Sequence, residues 1–170
     1  GSALWLAASY FLFTKDRAFL QQYLEKIIRA ADWIIREIST TRKLLPDGTR
    51  PLYYGLMPYA TATDGDAGYN VAFTDAYTFI GLESAAHMLA EAGHGRAGEF
   101  RQACDRYRED LSLAIQGLAK PNGDIDRQIH LEGVPEVFCR KFQNITGAIH
   151  LLRCGALDLE SEICSRFINY

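Results

Sequence analysis

Three aspartates, Asp64, Asp66 and Asp75, lie close together in the chain among Tyr53, Tyr54, Tyr59, Tyr69, Phe73 and Tyr77. Hydrolysis of a glycosidic bond needs two carboxyl groups. One is protonated to help the leaving group depart, and the other is ionised to activate water or attack directly. Aromatic rings suit such a site because the apolar C–H patches of a pyranose lie flat on them. Asp66, in "DGDAG", has Gly65 before it and Gly68 soon after, which lets the backbone approach a ligand closely. Asp64 and Asp66 equally suit turns, through hydrogen bonds to their own backbone. Asp75 opens a helical run, where the N-terminal dipole favours the ionised form and so a base rather than a general acid. A helix N-cap is the other role for Asp in that place.

Metal chemistry is less well served. Asp64, Asp66, Asn70 and Asp75 fall at positions 1, 3, 7 and 12 of a calcium-loop frame, but Tyr69 stands where the frame needs Gly. His87, His94 and His150 lack the paired spacing of a zinc site, so no metal and no cofactor is expected. Glu83 and His87 read as an i, i+4 surface pair. There is no nucleophile-elbow, P-loop or dinucleotide motif.

The elements that must hold these residues are helical. Residues 3–13 are apolar nearly all round, which predicts a helix buried on most of its surface. Asp16 is placed to cap the next helix, whose stripe runs through Ala18, Leu20, Leu24, Ile27, Ala31, Ile34 and Ile38. "PDG" at 46–48 is turn chemistry. Helix returns at about Asp75 and stops at Gly93, and Ala97, Phe100, Cys104, Tyr107, Leu111, Ala114 and Leu118 mark the next one. A weaker pair covers about 143–153 and 158–169, which would set His150 on a distant helix. Trp5 and Trp33 are expected in the core.

Turns inside these three helix pairs are short, whereas the connections 40–74 and 118–142 far exceed the roughly 2–8 residues usual between helices. Such an order puts both long connections at one end of the helices, and long loops in a compact domain are usually functional. The second connection carries Asp124, Asp126, His130, Glu132, Glu136 and Arg140. The fold class expected is all-α, with paired antiparallel helices in one helical-hairpin domain over 1–170.

Composition agrees with a soluble globular chain. Of 170 residues, 48% are hydrophobic and 23% charged, enough for a sizeable core. A net charge of -3 offers no field for nucleic acid, and no apolar run is long enough for a membrane span. The apolar start lacks the marks of a signal peptide. Cys104, Cys139, Cys154 and Cys164 show no C-x-x-C pairing and read as free thiols in a reducing compartment, hence a cytoplasmic location. The sequon "NIT" at 144–146 has meaning only in a secreted protein.

Three segments resemble six-hairpin glycosidases. "GSALWLAASYFLFTKDRAFLQQYLEKIIRAADWI" resembles that family's Leu-Trp helix followed by "TxDRxFL" and an "AADWI" helix. "YGLMPYATATDGDAGYNVAFTDAY" is similar to the connection "GLLPP…GD" that feeds an aromatic–Asp motif on an inner helix. "FIGLESAAHMLAEAGHGRAGEFRQACDRYREDL" resembles the hairpin after it, so the likeness spans about residues 2–115. Where the family often has Trp beside the inner-helix Asp, this chain has Thr74.

The resemblance implies about half of an (α/α)6 toroid, a fragment of a larger ring. The rest would come from the parent chain or another subunit. It implies a glycoside hydrolase acting on an oligosaccharide, with Asp66 as general acid or sugar contact and Asp75 as the second catalytic candidate. Tyr53, Tyr54, Tyr59, Asp64, Tyr69 and Tyr77 would bind substrate. Two alternatives stay open. One is a polysaccharide lyase on the same type of toroid, using His130 or a tyrosine. The other is a non-catalytic hairpin scaffold that binds a protein or peptide.

Overall fold

The computed structural model describes residues 1–58, 70–117, 130–131, 147–162 and 164–165. Five α-helices fall within the described residues: α1 (Ser2–Thr14), α2 (Arg17–Thr40), α3 (Ala72–Glu91), α4 (Ala97–Gly117) and α5 (Gly147–Arg153). Two two-residue strands, β1 (Asn70–Val71) and β2 (His130–Leu131), form one antiparallel ladder that pairs Asn70 with Leu131 and Val71 with His130. The all-α expectation holds apart from that ladder.

Sequence punctuation sets the short turns. Lys15 takes a left-handed backbone and its N–H donates to Phe11 O, closing α1. The Asp16 side chain then accepts from Phe19 N at 3.0 Å and opens α2, as an N-cap should. Gly93, at φ 69°, turns the chain after α3, with its N–H and that of His94 bonded back to Ala90 and Leu89. In the "PDG" turn, Gly48 has φ 82° and the Asp47 carboxylate accepts from both groups of Thr49.

α3 is the hub. α1 and α5 flank it, while α2 and α4 pack against it and against each other. Phe79, Leu82, Ala85, Met88 and Leu89 of α3 are fully buried between Phe11, Ile34, Ile38, Phe100, Tyr107 and Leu111. Burying the Phe, Leu and Met side chains among these contributes roughly 1.5–3 kcal/mol each, which makes α3 the natural centre of the core. Gly1 meets Gly81 backbone to backbone, an approach no side chain would allow, and this seats the start of α1 on α3.

Several expectations need correction. α1 buries Leu4, Ala8 and Phe11, yet Leu6, Tyr10 and Phe13 on its other face are exposed, Phe13 at 89%. The helix is apolar all round but covered on one side. Trp33 is 45% exposed rather than core, and Trp5 is half-buried. α3 starts at Ala72, three residues before Asp75. Of the last helix pair, α5 is present, followed by helical residues at 162, 164 and 165. Cys104, Cys154 and Cys164 are free and buried, and burial pushes the Cys104 thiol up to about 12. Cys139 lies outside the described residues.

Candidate active site at the loop end of the helices

The ladder joins the two long connections directly before α3, so both meet at the N-terminal end of the central helix. Asp75 sits in the first turn of α3 and is 1% exposed. One carboxyl oxygen, Oδ1, accepts the Met57 N–H at 2.8 Å and the Tyr107 hydroxyl at 2.6 Å. The other, Oδ2, is buried with no hydrogen-bond partner among the described residues. Burial pushes the carboxyl up to about 7, against the pull of those two donors. This overturns the expectation of a capping, dipole-ionised aspartate. Asp75 is inside the helix, and loss of water outweighs the helix end.

The first part of the long connection is fastened separately. Thr41 donates its hydroxyl to Leu56 O at 2.7 Å. The Asp110 carboxylate on α4 accepts from Arg42 Nε at 3.1 Å and Nη2 at 2.8 Å, and from Arg50 Nη2 on its other oxygen. Arg50 in turn lies over the Tyr54 ring, 4.2 Å from its centroid. Gly55, at φ 72°, presses against Asp110 where a Cβ would collide with the carboxyl. Only glycine satisfies that backbone and that approach together.

Helix geometry separates the predicted residues. Successive α-helical positions turn by about 100°, so Asp75 and Tyr77 point about 200° apart. Asp75 shares a face with Phe79, which meets Tyr107 edge-on at 6.0 Å and takes Arg108 over its ring at 5.0 Å. That face looks at α4. Tyr77 is half-buried and its ring lies 5.2 Å from that of His150 on α5. His150 is therefore not remote from the candidate site but in contact with one of its tyrosines. Tyr53 is partly buried and packs on the core. Tyr59, Asp64, Asp66 and Tyr69 lie outside the described residues, as do Asp124, Asp126, Glu132, Glu136 and Arg140.

Tyr107, Asp110, Arg42 and Arg50 are the functional neighbours that sequence reasoning missed. Asp110 falls three residues after Tyr107, inside the buried stripe of α4, where a charge requires a partner. Glu83, expected beside His87, pairs instead with Arg108 at 2.6 Å. No group of residues able to hold a metal occurs among the described residues. At the level of class, this is an all-α chain in which a short ladder joins residues 70–71, just before α3, to residues 130–131. Compared with protein-family models, characterised proteins and solved structures, the chain matches none.

Proposed function

We propose that the chain is a glycoside hydrolase-like part of an (α/α)6 toroid that acts on an oligosaccharide at the loop end of α3. The observation that carries this reading is the β1–β2 ladder. It brings the acid- and tyrosine-rich first connection to the second at the start of the central helix. The alternation of α1, α3 and α5 around a shared core, with α2 and α4 behind, is what half of such a ring requires. The resemblance of residues 2–115 supplies the reaction.

Asp66 is assigned the general acid or the closest sugar contact, with Asp64, Tyr59 and Tyr69 around the substrate. Tyr77, beside His150, offers a ring at the same end. Asp75 holds a proton near neutral pH, as a general acid must. Its carboxyl is closed in by Met57 and Tyr107, so it serves the reaction by fixing the root of the connection. An inverting reaction would place the partner carboxylate roughly 6.5–9.5 Å from the acid, in a hairpin from the remainder of the ring.

A second reading has one observation in its favour. α1 and α2 line an apolar trough of about 610 Å³ between Leu4, Leu6, Tyr10, Phe19, Tyr23 and Ile27. A non-catalytic scaffold would use such a surface for a protein or peptide, whereas a ring would cover it with the missing hairpins.

Turnover of an oligosaccharide panel by the full chain separates the two. The hydrolase reading expects Asp66→Asn to lower activity by about 10²–10⁴-fold, the usual contribution of a general acid. Equal activity of variant and parent would contradict it. A product absorbing in the near ultraviolet would instead mark lyase chemistry.

A further inference from the structure

We propose that Asp75 is a pH-sensitive latch at the root of the first long connection, holding Met57 against α3 and α4 while protonated and letting that segment lift when ionised. The inference stands on the surroundings of this one carboxyl and does not depend on the reaction assigned above. Three elements meet at Oδ1: α3 through Asp75 itself, the connection through the Met57 N–H and α4 through the Tyr107 hydroxyl. Oδ2 is equally buried and receives no donor among the described residues.

The charged groups around it are committed elsewhere. Arg42 and Arg50, from the connection, both turn to Asp110. On α4, Arg108 binds Glu83 and covers Phe79. Tyr107 keeps its proton, because burial and the facing Asp75 push its hydroxyl far above the ordinary range. Cys104 remains a thiol for the same reason of burial. α1 carries no charged side chain, and Gly1 before it lies against Tyr77 and Gly81 of α3, where burial lowers the pKa of its amino group. Toward the end of α2, Arg36 and Glu37 pair with each other, and Asp32 binds Arg96 beyond the far end of α3. His150, from α5, lies against Tyr77 on a different face of α3.

A protonated carboxyl is tolerable in this setting. An ionised one spreads its charge over two oxygens, one of them dry and without a donor, which is costly. Water is the available remedy, and the Met57 segment, a loop on the core rather than a helix through it, is the cover that admits it. The Asp110 clamp, with an arginine on each carboxyl oxygen, keeps the earlier part of the connection in place. Lifting is therefore confined to the segment around Met57.

Hydrogen exchange on the full chain tests the latch, because the Met57 amide is itself one of the bonds. After correction for intrinsic chemistry, this amide should exchange about tenfold or more faster at pH 8.5 than at pH 5.5. The amide of Ile34, deep in α2, should show no such change. Asp75→Asn keeps an acceptor for both donors and should abolish the pH dependence at Met57. If that variant does not fold, Tyr107→Phe serves instead. Loss of a donor to the carboxylate should move the midpoint to higher pH. Protection of Met57 that ignores pH, pH dependence that survives in Asp75→Asn, or a midpoint unmoved in Tyr107→Phe would each overturn the proposal.

Discussion

Asp75 on α3 and Asp110 on α4 both hold the connection that follows α2, one at Met57 and the other at Arg42 and Arg50. Their surroundings differ in kind. Asp110 meets two guanidinium groups, and its charge is balanced by charge. Asp75 meets a backbone N–H and a phenol, both on one oxygen, and no cation among the described residues. Two carboxyls of one residue type on one loop thus obey different rules. An arginine clamp works across a wide range of pH, whereas a carboxyl without a cation is stable in the core only when it carries a proton. A connection held both ways has one permanent anchor and one that responds to its medium.

The largest expected effect is the pH dependence of stability. Burial pushes the Asp75 carboxyl up to about 7 in the folded chain, against an ordinary value of 3.8, so the folded state binds the proton more tightly. Its contribution is complete below the unfolded value and is lost as pH rises through about 7. Urea unfolding should therefore show a loss of about 3 kcal/mol between pH 5 and pH 8 from this group. In Asp75→Asn that component should vanish, and a slope equal to the parent's would break the contrast between the two anchors.

A smaller effect is expected at the other anchor. Gly55→Ala forces a left-handed backbone on a residue with a Cβ and drives that Cβ into the Asp110 carboxyl. Destabilisation of about 2 kcal/mol should follow, read from the urea midpoint. The pH slope should stay as in the parent, because the substitution disturbs the arginine clamp and not Asp75. A changed slope would mean that the two anchors are one coupled unit.

Much of the helical framework was legible in the sequence. The stripe Leu20, Ile27, Ala31, Ile34 and Ile38 is buried along α2, and Phe100, Cys104, Tyr107, Leu111 and Ala114 are buried along α4. Periodic apolar spacing reports burial directly, because a stripe must face something. The uncovered side of α1 was not legible, since a helix apolar all round says nothing about which neighbours are present. Nor was the depth of Asp75. An aspartate near a helix start reads as a cap, and only the fold shows Met57 and Tyr107 closing over it. The Asp110 clamp left a weak trace, a charge at a core position of α4, while its partners lie 68 and 60 residues away. The Tyr77–His150 contact left none, for it depends on how α5 returns to α3.

A proton held by Asp75 near neutral pH underlies both the latch and the contrast between the anchors, and side-chain carboxyl ¹³C shifts followed by NMR through a pH titration measure it directly. The Asp75 signal should move with a midpoint near 7, far above the ordinary aspartate value of 3.8. A midpoint at or below that ordinary value would show a carboxylate at home in the core, and both the latch and the contrast with Asp110 would be contradicted.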